Sequence, residues 1–548
     1  MRILFLGRRY TYFRNFDSVI RDLASRGHAL HLAVEREAPE GRSLVEGLAA
    51  EFPAITFGEA PGRVPDDWTW VVSRLRHGLE HLRYQHSMFD DTPMLRERSR
   101  ERTPGAFVTL GTWIRSYAPW LRRPVAALTH WFERAAPEDP AIRAYVESQA
   151  PDVVLITPLI GLGSWQIDYL TTARSLGIPT GLGVWSWDHL SSKALIRDAP
   201  DRVFVWNETQ KHEAMRLHGV PEDRVVVTGA QCFDRWFDRQ PSCGRDAFCG
   251  KVGLPANRPF ILYVCSAPFI GSQPEAPFVA DWVRRVRTSA SPALRGAPIL
   301  VRPHPSRREE WSAIDLGEFQ DVAFWGSAPI DAGARADYFD SLYHSAAVVG
   351  LNTSAFIEAG IVGRPVLTIL LPEWHENQLG TVHFRYLFDV GGGLLTSART
   401  FEEHLSQLDA ALAHPSTEIR PFIRSFVRPL GLDVPATPKF VGHVESMERM
   451  AVQPAAAVPF EPLARRLLRR AMTWRDRDGW ERWVYSEREV DTVLRYREMR
   501  RAKAAHEAEL KKIRRTERAE RDAVREADLQ AHRAAKKDQE RAAGSAQP

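Results

Sequence analysis

Strand-like apolar runs alternate with helix-length amphipathic segments along most of this chain, and the alternation occurs twice. The first series opens with "RILFLG", the loop "RRYTYFRNF", the helical "DSVIRDLASRG" and a second run "HALHLAV". Ile20, Leu23 and Ala24 share one helical face, and Gly27 stands where a helix would be capped. The series resumes with "DVVLITP", a helix near "SWQIDYLTTARSLG", "TGLGVW", "RVFVW", the helix "ETQKHEAMRLHG" and "DRVVVTG". A second series runs through "FILYVC", a helix around "PFVADWVRRVRTS", "PILVRPHP", "DVAFWG", "AAVVG", a helix after Asn352 and "PVLTILL". Strands separated by helices of this length form parallel sheets, because parallel neighbours need a crossover. At 548 residues the chain is too long for one core. The expectation is α/β: a first Rossmann-like domain over 1–240 and a second over 258–430, with Gln240 to Arg258 as the linker.

From 61 to 140 the pattern gives way to tryptophan- and arginine-rich helical segments, expected as an insertion in the first domain. Trp113, Trp120 and Trp131 with Arg115, Arg122 and Arg123 fit an ordinary packed helix pair, or contact with a membrane surface or lipid-linked substrate. A helical crossover is expected over 431–485 and a charged helical tail over 486–548. In that tail Glu507/Lys511 and Glu517/Arg521 have the spacing of an exposed helix. A heptad frame through Leu510 and Ile513 meets Glu517 and Glu520 at core positions, which opposes a coiled coil.

Composition narrows the partners. A net charge of +4 is small for this length and gives no case for nucleic acid. Cys232, Cys243, Cys249 and Cys265 show no paired spacing, so neither a zinc site nor a disulfide framework is expected, and a reducing cytoplasm is the simplest setting. No stretch has the run of about eighteen apolar residues that a membrane span needs, and the apolar start is too short for a signal peptide.

The stretch Val348–Pro372, "VVGLNTSAFIEAGIVGRPVLTILLP", places Asn352, Thr353 and Ser354 between a strand's carboxyl end and a helix N-terminus. Open α/β sheets bind ligands there, and the free amides and hydroxyls suit a phosphate. Glu358, one turn on, suits a ribose diol. The plainer reading is that Thr353 and Ser354 cap the helix and Glu358 complements its dipole. In "VRPHP", Arg302 offers a donor fork for phosphate and His304 a donor near a leaving group. In "LPEWHENQLGTVHFRYL", Glu376, Asn377 and Gln378 are of the type that orients a sugar's hydroxyls.

The run from Thr353 to Val366, "TSAFIEAGIVGRPV", resembles the donor-nucleotide motif of GT-B glycosyltransferases, in which a Glu precedes a Gly-x-Pro-Val. The resemblance implies two facing Rossmann-like domains, a nucleotide-sugar co-substrate in the second and Glu358 on the ribose. It implies no further cofactor and no metal. Within that superfamily "RPHP" is similar to the basic-His-Pro turn of the CDP-glycerol glycerophosphotransferases, with His304 as a phosphate contact. Those enzymes carry an acidic residue and paired serines where this chain has Asn352-Thr353-Ser354, which counts against a CDP-glycerol donor. Non-hydrolysing UDP-N-acetylglucosamine 2-epimerases share the fold, but no GTRPE-like start and no HRREN-like segment occur here.

The first domain would then take the acceptor. "GVWSWDHLSSK" follows an apolar strand, with Asp188 the first candidate for a general base, His189 the second, and Lys193 a candidate acceptor contact. The plainer reading makes the tryptophans core and Asp188 a helix cap. Arg8, Arg9 and Arg14 are candidates to meet an anionic acceptor. The expected function is glycosyl transfer to an envelope or surface-polysaccharide acceptor, glycan or lipid-linked, at the inner face of the membrane. The alternatives are a CDP-polyol phosphotransferase and a non-catalytic scaffold of the same shape.

Overall fold

The structure is a computed structural model that describes every residue except 162–163, 269–272, 415–417, 453–456, 476 and 545–548. Its strands form two all-parallel sheets. The first contains β1 (Arg2–Gly7), β2 (Ala29–Val34), β3 (Ile55–Glu59), β4 (Val153–Thr157), β5 (Thr180–Gly183), β6 (Arg202–Val205) and β7 (Val225–Val227), in the order β3-β2-β1-β4-β5-β6-β7. The second contains β8 (Ile261–Val264), β9 (Ile299–Arg302), β10 (Val322–Phe324), β11 (Ala347–Val349), β12 (Val366–Ile369) and β13 (Leu395–Ala398), in the order β10-β9-β8-β11-β12-β13. Each order reverses once, at β1/β4 and at β8/β11, and a reversal leaves a crevice beyond the strands' carboxyl ends.

Burial explains why these strands were legible. Ile3 pairs with Leu30 on one side and Val153 on the other. Strand β4, like β8, β9 and β11, is buried along its whole length. Strands covered by helices on both faces read as unbroken apolar runs. The first helix, Asp17–Ser25, is followed by Gly27 in the left-handed region at φ 86°, where a side chain would be strained. Strands β3 and β13 carry no sequence expectation, and both are sheet edges.

The two domains are packed on each other by an apolar cluster running from Trp187 and Trp206 to Phe248, Phe356 and Phe426. The stretch Gln240–Arg258 departs from the expected linker: Arg245–Val252 is helical, and its Phe248 and Cys249 are buried in the second core. After the helix Pro421–Phe426 the chain crosses back. Helix Ala436–Met447 sets Phe440, Val441, Val444 and Met447 into the first domain's core. Asp234 fixes the crossing by accepting from Ala436 N at 2.9 Å and Thr437 N at 2.6 Å, with Arg428 at 3.3 Å.

Helices Asp67–Tyr84, Pro93–Arg100, Gly105–Tyr117 and Arg122–Ala135 lie between β3 and β4. Buried ion pairs tie them to the first sheet: Asp168 meets Arg63 at 2.8 Å and Arg76 at 2.7 Å, and Glu133 meets Arg76 at 2.8 Å and Arg197 at 3.1 Å. Such groups tolerate burial only because each charge is matched. The helix Glu487–Gly544 has 58 residues and is about 87 Å long at 1.5 Å per residue. Arg74 holds its root through Glu489 at 2.6 Å, and every residue from 498 to 539 is exposed. Among the described residues no helix is long and apolar enough to cross a membrane.

Candidate functional site

At the second reversal the backbones close in. A Cβ on Gly350 would stand 2.7 Å from Val264 O, so only glycine fits. Asn352 N donates to Ser266 Oγ at 3.1 Å and Asn352 Nδ2 to Asn377 O, which joins the loops after β8, β11 and β12. Helix Ala355–Ile361 starts here. Its Ala355 N is taken by Thr353 Oγ1, Phe356 N by Thr353 O and Ile357 N by Ser354 O. The chain itself therefore engages most of the amides expected to cradle a phosphate. What remains is the exposed Ser354 hydroxyl with the amides of Thr353 and Ser354, for which no partner occurs among the described residues.

Glu358, one turn on and partly exposed, accepts through Oε2 from the hydroxyl of Tyr338, on the helix Ala332–His344. Burial pushes its carboxyl up to about 7, against the pull of Tyr338 and of Arg14. Arg14 is exposed on the 3-10 helix Tyr10–Phe16 of the first domain. Arg14 thus stands at the surface of the first domain, and its charge is felt by Glu358 of the second. Glu358 Oε1 has no partner among the described residues.

Arg302 also departs from its expected role. Its guanidinium turns inward, 4% exposed, donating to Ser341 Oγ at 2.8 Å and lying 5.2 Å from the centre of the Tyr338 ring. A buried guanidinium needs acceptors, and Ser341 with the carbonyls of Ser327 and Asp337 supplies them. Arg302 therefore supports Tyr338, which holds Glu358, and does not reach a phosphate. His304 stays at the carboxyl edge of β9, partly exposed, with Nδ1 accepting from Ser306 N at 3.2 Å.

The loop after β12 divides. Gln378 is buried, and its amide nitrogen donates to Leu351 O at 3.1 Å and Ile369 O at 2.9 Å, a strut that corrects its expected sugar contact. Yet Glu376 Oε2, Asn377 Nδ2 and Gln378 Oε1 are buried with no hydrogen-bond partner. Three orphaned polar atoms on consecutive residues are unusual in a native interior.

In the first domain Asp188 is saturated. It accepts from Ser186 Oγ at 2.5 Å, Ser192 Oγ at 2.9 Å and Lys193 Nζ at 2.8 Å. Burial would raise its carboxyl, but Lys193, His383 and these bonds hold it far below the carboxylate range. Such an anion is a poor proton acceptor. His189 is fully buried, with Nε2 on Pro158 O at 2.8 Å and Nδ1 facing Trp185 N at 3.4 Å. Burial lowers it to about 3, and with both nitrogens engaged it cannot serve as the base. Lys193 is occupied by Asp188. Arg9 is exposed, and Arg8 lies 3.7 Å from Glu35.

Three residues escaped sequence reasoning. Glu35 follows β2, accepts from Ser164 Oγ, and is pushed up to about 7 by burial, with Ser164 and Arg8 pulling the other way. An acidic residue directly beyond a strand was the available signal. Tyr338 carried none. His383, on helix Val382–Asp389 of the second domain, packs edge-on against Trp187 at 4.6 Å and bears on Asp188; its Nδ1 is buried without a partner. Among the described residues no three His, Cys, Asp or Glu side chains gather as a metal site.

No protein family matches the chain, and no curated protein does. Solved structures resemble it in architecture. The UDP-GlcNAc 2-epimerase of Neisseria meningitidis, bound to UDP-GlcNAc, is 12% identical, with 81% of this chain and 100% of that one covered at a TM-score of 0.46. A glycosyltransferase from Rickettsia africae is 12% identical, with 82% and 98% covered at 0.46. The glycosyltransferase VinC, in complex with dTDP, is 13% identical, with 82% and 99% covered at 0.41. Likeness at this level says nothing of activity. The GT-B-type architecture rests on the two parallel sheets and the returning helix.

Proposed function

We propose that the chain is a nucleotide-sugar glycosyltransferase, with the nucleotide in the second domain and the acceptor in the first. Glu358 carries this reading. It stands at the reversal point of a doubly wound sheet with one carboxylate oxygen fixed by Tyr338 and the other unpartnered, as a ribose-diol contact requires. Ser354 lies one turn before it, on the phosphate side. The orphaned atoms of Glu376 and Asn377 suit a sugar's hydroxyls, with Gln378 as the strut beneath them.

In the reaction an acceptor hydroxyl oxygen bonds to the anomeric carbon while the bond from that carbon to the phosphate oxygen breaks. The nucleotide diphosphate leaves with the electron pair. Glu35 is the better proton acceptor than Asp188, because a carboxyl near 7 is matched to neutral pH. Glu35→Gln should then lower turnover by about 10²-fold or more without changing nucleotide affinity. Equal loss of affinity would show that Glu35 shapes the fold instead. The acceptor in this reading is a glycan or a lipid-linked saccharide of the cell envelope.

The deciding test is thermal unfolding against UDP, GDP, dTDP, CDP and CMP, since a ligand of the native state raises the midpoint. One diphosphate should stabilise the chain, and Glu358→Ala should sharply reduce the shift. Selective response to CDP and CMP would favour a polyol-phosphate donor, and silence across the panel would favour a scaffold.

A further inference from the structure

Away from the crevice, the helices between β3 and β4 enclose a pocket of about 710 Å3 lined by His86, Asp90, Arg115, Trp120, Arg122 and Arg123, among others. Its charge is unbalanced. Asp90 Oδ1 is shared by Arg96 at 3.2 Å and Arg115 at 2.8 Å, which consumes the pocket's carboxylate. Arg122 and Arg123 meet no carboxylate among the described residues. Burial first, then those two guanidiniums, lowers the imidazole of His86. Two adjacent unneutralised arginines in a concave site call for an anion, and a guanidinium fork fits a phosphate.

The rim identifies where that phosphate comes from. Trp120 and Tyr117 are each 71% exposed and Trp113 is 48% exposed, and none serves a core. Trp131, by contrast, is tied through Nε1 to Pro459 O at 2.7 Å. Amphipathic rings held out in water, Trp120 in the lining of a basic pocket and Trp113 and Tyr117 on the helix that gives it Ile114 and Arg115, match the head-group layer of a bilayer, where Trp and Tyr partition. The neighbouring helix Glu461–Met472 packs on Arg122–Ala135 and has the same character, with Phe460, Leu463 and Leu467 exposed among arginines. We propose that this pocket receives the phosphate of a membrane lipid head group while Trp113, Tyr117 and Trp120 enter the interfacial layer around it. The site is separate from the crevice and does not depend on the transfer reaction.

The test is flotation of the full chain with vesicles of phosphatidylcholine alone or containing phosphatidic acid, at physiological salt. The chain should float with the acidic vesicles and stay behind with the neutral ones. Arg122→Gln with Arg123→Gln should reduce partitioning by about fivefold for each charge removed. Trp120→Ala should reduce it as well. Both variants should unfold near the wild-type temperature, since Trp120 is 71% exposed and Arg122 and Arg123 meet no carboxylate among the described residues, and a midpoint check separates lost binding from lost fold. Partitioning that survives either variant overturns the proposal. So does a chain whose midpoint rises with inorganic phosphate through Arg122 and Arg123 but that leaves the vesicles unbound.

Discussion

Asp188 and Glu358 are both acidic side chains beyond the carboxyl edge of a parallel sheet, one in each domain, yet their surroundings are opposite. Asp188 is met by two hydroxyls and an ammonium, and is held ionised far below the ordinary range. Glu358 is met by one hydroxyl, has an oxygen to spare, and is pushed up to about 7 by burial. A carboxylate with both oxygens engaged and an ammonium beside it organises its own loop. One that is desolvated and half-engaged is the better receptor for something else.

The largest effect should separate the two by removing the saturated one. Asp188→Ala should cost about 3 kcal/mol in urea unfolding, the low end for a broken buried pair because Lys193 stays 34% exposed. Unchanged stability with lost turnover would return Asp188 to catalysis. Glu358→Ala should instead spare the fold and weaken the stabilising nucleotide by about 2 kcal/mol, or roughly thirtyfold in Kd by calorimetry. Equal weakening by both variants would erase the contrast. Tyr338→Phe should weaken nucleotide binding by about 1 kcal/mol, with Glu358 left but unsteadied.

The smallest effect lies in pH. The Glu358 carboxyl rises from 4.5 to about 7 on folding, so its contribution to stability is full below 4.5 and declines as pH climbs to about 7. Glu358→Gln removes that decline. The variant should therefore gain on the wild type between pH 4.5 and 7, by less than about 1 kcal/mol given its partial exposure. Asp188 has the reverse sign: its contribution is present above 3.8 and lost only as pH falls below, so it adds no slope in that window. A flat difference curve would mean that Glu358 titrates like an exposed carboxylate.

The sheets were legible because their central strands are buried on both faces, which forces unbroken apolar runs. Two of the four edges were not: "ITFGE" and "LTSA" are half-covered and carry little pattern, whereas the edge strands β7 and β10 keep short apolar runs. Site residues were legible by type and not by direction. Nothing in "VRPHP" tells that Arg302 turns toward Ser341, since that acceptor comes from a helix far along the chain. Glu35 is raised by burial against elements after β4, with Ser164 more than a hundred residues away, a relation no local spacing encodes. The position of Glu358 one turn into a helix beyond a strand was legible because strand, polar turn and helix follow one another without interruption.

The long terminal helix governs how the molecule moves through water. A rod about 87 Å long, fixed at one end by ion pairs such as Arg74–Glu489 and Arg488–Glu101, sets the friction of the whole particle while adding little of its mass. The protein should elute from a sizing column as a much larger body yet sediment more slowly than a compact particle of its mass, and removing residues 501–548 should shrink its hydrodynamic radius far more than its weight.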